Sequence, residues 1–297
     1  MVKRKQKPSP RRRLRRGEWR PGVAYAAIPL LGFAVFFAAP FAISVLRTIF
    51  GGGGGQFLGL SAYISIVKSG AFQLALYNTL RFIGVGVPVV LALSLVLALM
   101  LQENIRGTRA FRAVFVLPLV VPVSAVILVF QIVFEKSGVV NQTMEALGLV
   151  KADFLYSEGA FAVLIVLYLW KNSGYLIILF LAGLAQIPTE YYDAARVDGA
   201  GKVRTLMTIT LPLLVPTFFF TFVISIINAF KSFREAYALA GAYPHASIYM
   251  LQHFMDNNFR NLNYQRLSVA SHLTFLVVVG LVFFLFRFRQ QAGDHQL

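Results

Sequence analysis

The sequence predicts an all-α, polytopic membrane protein with six transmembrane helices and both termini on the cytoplasmic side. Three observations carry that expectation: the composition, a set of charge-free runs, and an uneven placement of basic residues. Of 297 residues, 58% are hydrophobic and 13% charged, with 28 Phe, whereas a soluble domain is about half apolar and about a quarter charged. The five stretches 21–46, 82–101, 113–134, 205–230 and 267–286 contain no Asp, Glu, Lys or Arg. A helix needs about 20 apolar residues to cross the hydrocarbon core, and a soluble core has no use for five such runs.

Taken in order, the chain opens with a basic tail, 1–21, followed by a first span near 22–46. That apolar stretch is far longer than a signal core of about 7–15 residues, so it is expected to stay in place. The glycine run 51–55 has linker composition. No Lys-Ser/Thr pair follows it, as a phosphate cradle requires. The second and third spans are expected near 74–101 and 113–134. The fourth, near 160–182, carries Lys171 close to its middle. The fifth and sixth lie near 213–233 and 265–286, and a short tail, 287–297, closes the chain. Pro88, Pro118, Pro122 and Pro216 fall in or beside spans, where each removes a backbone donor and should bend its helix. Loops 47–73, 135–159 and 234–264 are expected on the outer side. None is long enough for a domain of about 50 residues.

The net charge is +16, and its distribution argues against nucleic acid. Ten of the 28 basic residues lie in the first 20 positions. Arg106, Arg109 and Arg112 follow in one loop, Arg196, Lys202 and Arg204 in another, and Arg287 and Arg289 in the closing tail. If the spans alternate, eighteen basic residues share one side and six the other. Positive residues are retained in the cytoplasm, so the basic tail reads as a topology anchor on anionic lipid. With no cysteine, disulfides, thiolate metal sites and cysteine nucleophiles are excluded.

Motifs for on-board chemistry are missing. There is no Gly-x4-Gly-Lys-Ser/Thr, so ATP phosphates have no cradle in this chain. Neither His-Glu-x-x-His nor Gly-x-Ser-x-Gly occurs. His245, His253, His272 and His295 form no ligand spacing. His272, inside the last span, either lines a cavity or bonds a neighbouring helix.

The loop 183–212 carries the strongest local signal. Pro188 and Thr189 mark a helix start, with Thr189 a candidate N-cap and Glu190 and Asp193 suited to the positive helix end. Gly199 is a natural stop. The centre of this helix, Ala194-Ala195, is small enough for another surface to approach its backbone. Its acids, Glu190, Asp193 and Asp198, argue against a lipid-binding helix, which pairs a basic face with large apolar residues. A docking helix for a protein is the better reading.

That loop resembles the EAA loop of binding-protein-dependent ABC importer permeases. It reads Asp193-Ala194-Ala195, three residues, Gly199, nine residues, Ile209, one residue, Leu211-Pro212. Asp193 stands where the family has Glu. Asn78-Thr79, Arg112 with Leu117-Pro118, 138–141 and Asn228-Ala-Phe230 look like the carbohydrate-uptake branch, similar to the maltose and glycerol-phosphate permeases. The family's Gly-Gly-Pro appears only loosely, as Gly241-Ala-Tyr-Pro244.

The resemblance implies a coupling role for Glu190, Asp193, Ala194, Ala195, Asp198, Gly199 and Ala200. It also implies a homologous second permease subunit, a cytoplasmic ABC ATPase dimer that binds the ATP, and an extracytoplasmic solute-binding protein. No cofactor or metal is expected in this chain.

Polar groups inside spans are costly and face a cavity or a partner. Trp170 and Tyr175 offer faces on which a sugar could stack. Lys171, Asn172, Asn228, Ser271 and His272 complete the candidate solute path. Lys171 calls for an anion, either from the solute or from an acid on the partner subunit. Interhelical hydrogen bonding is the competing reading for each of these. Arg81 and Lys231 are expected to snorkel. A secondary transporter or channel without an ATPase is the alternative for the whole chain.

Overall fold

The computed structural model describes residues 19–50, 57, 59–102, 111, 114–115, 117–118 and 120–293. The basic tail through residue 18, the glycine run 51–55, Arg106, Arg109, Arg112 and residues 294–297 lie outside them. All regular structure among the described residues is helical. Among the described residues, six helical segments are long and apolar enough to cross a membrane: Tyr25–Phe50, Gly70–Gln102, Val123–Ala146, Gly159–Leu184, Val215–Ala240 and Tyr264–Phe283.

The chain divides into two units, Met1–Ala62 and Tyr63–Leu297. In the first, α1 (Trp19–Phe33), a π-turn (Ala34–Ala38) and α2 (Ala39–Phe50) follow one another without a break. Its apolar window has a mean hydropathy of 2.2, and Phe33 stacks on Phe37 with ring centroids 5.8 Å apart.

After α3 (Ser61–Val67), the second unit is built around α4 (Gly70–Gln102) and α7 (Gly159–Leu184). Phe82, Val87, Val90 and Ala98 of α4 are buried with Leu164, Tyr168, Leu176, Ile177 and Phe180 of α7 in one core. Gly86 lets α4 approach closely. A Cβ there would sit 3.3 Å from the Tyr168 ring. Tyr168 crosses the core and donates to the Ser225 carbonyl at 2.8 Å, which satisfies its hydroxyl where water cannot reach. Small residues at such crossings suit helices that pack without a hydrophobic drive between them.

Between these two helices lie α5 (Val123–Phe134) and α6 (Val139–Ala146). The Asn141 amide ties the α6 region together, donating to the Glu135 and Ala152 carbonyls at 3.0 Å each and accepting from the Ala152 amide at 2.9 Å. Beyond α7 come α8 (Thr189–Val197), α9 (Lys202–Thr205), a π-turn (Leu206–Thr210) and α10 (Leu211–Leu213). These lead into α11 (Val215–Lys231) and α12 (Phe233–Ala240). A 3-10 turn (Ala246–Ile248), α13 (Leu251–Arg260) and α14 (Tyr264–Gly293) complete the chain.

The structure corrects several expectations. Residues 113–134 are not one uninterrupted helix, because Pro122 has extended backbone (ψ 133°) and caps α5. Pro216 stands in the first turn of α11, where a missing N–H costs nothing, so neither proline bends a helix interior. Pro88 lies inside a continuous α4.

The stretch 234–264, expected as an outer loop, is largely helical. Its α12 buries Glu235, Ala236 and Leu239 on one face and stops at Gly241, whose φ is +77°. Asn78 and Thr79 hold the segment beyond that stop. The Asn78 amide donates to the Ala246 and Tyr249 carbonyls at 2.6 and 3.0 Å, and the Thr79 hydroxyl accepts from the Leu251 amide at 3.0 Å.

Candidate coupling helix and intramembrane cavity

Two sites emerge. The first is α8, a nine-residue helix between two apolar spans. Its N-cap is Pro188, with ψ 138°, so Thr189 is the first helical residue and not the cap. Glu190 in the first turn and Arg196 in the last match the helix dipole.

The C-terminus closes as a Schellman motif. The Gly199 amide donates to the Arg196 carbonyl at 3.1 Å, and the Ala200 amide to the Ala195 carbonyl at 2.9 Å. Gly199 stands at φ +71°, the left-handed conformation this motif requires. That end of the helix is therefore sharply defined.

Facing matters more than composition here. Tyr192 and Ala195 turn inward. Ala195 is buried, and the Tyr192 hydroxyl lies 3.3 Å from the Thr210 hydroxyl. Glu190, Asp193, Ala194, Asp198 and Gly199 are exposed, and Ala200 is partly buried. Only Ala194 of the two alanines is therefore open to an approaching surface; Ala195 seats the helix.

Val197 is 88% exposed and Val203 72%, so uncovered apolar surface adjoins the acidic face. The Asp193–Arg196 pair, at 3.2 Å, is solvent-exposed and contributes little stability. A groove of about 490 Å³ runs beside α8, lined by Tyr192, Asp193 and Arg196 together with Leu99 and Gln102 of α4.

The second site lies within the spans. Lys171 and Asn172 of α7, Asn228 and Lys231 of α11, and Ser232, Arg234 and Glu235 beyond it line a cavity of about 100 Å³. Lys171 forms an ion pair with Glu235 of this same chain, so its counter-ion need come from neither solute nor partner. Sequence reasoning misses Glu235 because it falls in a stretch that reads as a loop. The available signal is Lys171 itself, since a lysine deep in an apolar span demands an anion. Asn172 donates to the Tyr168 carbonyl at 2.9 Å.

The remaining candidates do not line this cavity. Trp170, 38% exposed, packs against Phe130 with ring centroids 6.5 Å apart. Tyr175 is partly buried against the core. The Ser271 hydroxyl bonds back to the Leu267 carbonyl at 2.9 Å. His272 Nδ1 lies 2.9 Å from the Tyr63 hydroxyl, a contact between α14 and α3. Arg81 does not merely snorkel, because its guanidinium sits 4.0 Å from the centre of the Phe161 ring.

Residues 90–292 match the family described as binding-protein-dependent transport system inner membrane component. The chain belongs to that family: it is a multi-helix inner-membrane permease subunit. It is 34% identical over 213 residues to the probable ABC transporter permease protein YesP of Bacillus subtilis, covering 69% of this chain and 67% of the relative. It is 28% identical to the sn-glycerol-3-phosphate transport system permease protein UgpA of Yersinia pestis, with 81% and 83% covered. To the trehalose/maltose transport system permease protein MalF of Thermococcus litoralis it is 29% identical, with 75% and 77% covered. In fold it resembles a chain of a bacterial ABC transporter involved in import of the acidic polysaccharide alginate, with a TM-score of 0.81, 22% identity, and 93% and 97% of the two chains covered.

Proposed function

We propose that this chain lines half of an import path for a sugar or related solute, paired with a homologous second permease and driven through α8 by a separate ABC ATPase dimer. ATP is bound on that partner, since this sequence has no phosphate cradle. The observation that carries the reading is the outward face of α8. Glu190, Asp193, Ala194 and Asp198 are exposed on a short helix whose inner face, Tyr192 and Ala195, is fixed to the membrane unit. Gly199 and Ala200 end the helix rigidly. A short helix held in this way moves with the spans it joins.

The basic residues support termini, and α8, on the cytoplasmic side. An extracytoplasmic solute-binding protein would deliver the solute to the opposite end. A related alginate transporter has been seen in complex with its pentasaccharide-bound periplasmic protein. Sugar and glycerol-phosphate relatives favour a hydroxylated solute. Lys171, Asn172 and Asn228, gathered at one cavity, are the proposed solute-path residues.

Affinity purification of the chain from its native membrane tests the reading. The expected result is co-purification of an ATP-hydrolysing subunit and a second six-span permease, with uptake that requires ATP. A self-sufficient homo-oligomer that moves solute without ATP would overturn it and favour a secondary transporter.

A further inference from the structure

The cavity between α7, α11 and α12 carries a charge imbalance. Lys171, Lys231 and Arg234 bring three cationic groups to its wall, and Glu235 brings one carboxylate. Glu235 is engaged by Lys171. Lys231 and Arg234 have no ion-pair partner among the described residues.

A second, independent observation points the same way. Glu235 is 4% exposed, and its Oε2 is buried without a hydrogen-bond donor. The Asn228 side chain also makes no hydrogen bond among the described residues.

Depth makes Lys171 informative. It is the thirteenth residue of the 26-residue α7, about 18 Å from its Gly159 end at 1.5 Å per residue, and an ionisable group this far inside a span lines a cavity or pathway. Lys231 closes α11 and, like Arg234, is exposed, so both cations are open to a group that enters the cavity. The volume, about 100 Å³, holds a few waters or one small charged group, and is too small for a whole oligosaccharide.

Resting on the importer reading above, we propose that this cavity recognises the carboxylate or phosphate group of an anionic, hydroxyl-bearing solute. Lys231 and Arg234 take the anion, Glu235 Oε2 accepts a hydroxyl proton beside it, and Asn228 bonds a further hydroxyl. Lys171 is a positioning residue that holds Glu235.

The test uses the full complex purified from native membranes, with galacturonate and glycerol 3-phosphate as anionic probes and galactose as the neutral match to the first. Binding to the complex without the solute-binding protein is measured by calorimetry at low and high salt. At least one anionic probe should bind at least about tenfold more tightly than galactose, weaken with salt, and lose about tenfold in K231Q/R234Q. Rescue by R234K, relative to R234Q, is expected for a charge-recognition role.

Equal binding of galactose and both anions overturns the proposal. So does an assembly defect in K231Q/R234Q with no change in selectivity, which would mean that the two cations pair with an acid of the second permease. Loss of the ATPase from the preparation contradicts the importer reading instead, and leaves the binding comparison standing on its own.

Discussion

Gly199 occupies a backbone conformation that decides how α8 ends. At φ +71°, with nothing within 4 Å of where a Cβ would sit, the restriction is conformational and not steric. An L-residue in the left-handed region costs roughly 1–2 kcal/mol, most for β-branched side chains and least for asparagine. G199V is expected to fray the Schellman closure and uncouple ATP hydrolysis from uptake while the spans stay folded. G199N should retain most coupling. The check is the ratio of solute moved to ATP hydrolysed in proteoliposomes.

His253 gives a pH-dependent counterpart outside the spans. Its Nδ1 accepts from the Met250 amide at 3.1 Å, and burial pushes the imidazole down from 6.5 to about 4, against a smaller opposing pull from Asp256. The unfolded chain therefore binds a proton in that interval that the folded chain does not. Stability from this group is complete above pH 6.5 and lost as pH falls towards 4. The melting temperature should fall across that window more steeply in the native protein than in H253N; identical slopes would contradict the assignment.

Among the described glycines, the closest approach is at Gly174 of α7, beside the helical residues 114–115. A Cβ on Gly174 would lie 1.6 Å from the Phe115 carbonyl oxygen, a backbone atom that cannot swing aside. G174A is expected to destabilise by about 1–3 kcal/mol or more, read as a drop in melting temperature in detergent. G280A on α14, where a Cβ meets nothing within 4 Å, serves as the near-neutral control.

Legibility at this scale follows local chemistry. The short helix can be read from Pro188 and Gly199, which punctuate it regardless of tertiary context, although the cap falls one residue earlier than Thr189. The helix α12 is not legible, because Arg234, Glu235 and Gly241 look like loop residues until Glu235, Ala236 and Leu239 are seen to share one buried face. Pro122 reads as a bend within a span, whereas the residue caps a new helix.

At the scale of the whole molecule, apolar runs of membrane-spanning length set the class, because lipid leaves helices few alternatives. Pairing across the chain is beyond sequence reasoning. Lys171 and Glu235 stand 64 residues apart, and only the packing of α7 against α12 makes them partners. K171M leaves a buried carboxylate unpaired and is expected to cost about 3–5 kcal/mol, whereas K171M/E235L recovers much of the loss. Melting temperatures check this, and a double variant no more stable than K171M would contradict it.

The central claim is that α8 receives force from a separate ATPase through its exposed face. The sequence has no cysteine, so A194C introduces a single thiol at the centre of that face. Treating native membranes with a short thiol-to-amine crosslinker should join this chain to an ATP-binding protein, identified by mass spectrometry of the adduct. Crosslinks to lipid alone, or to copies of this chain, with no nucleotide-binding partner recovered, would contradict it.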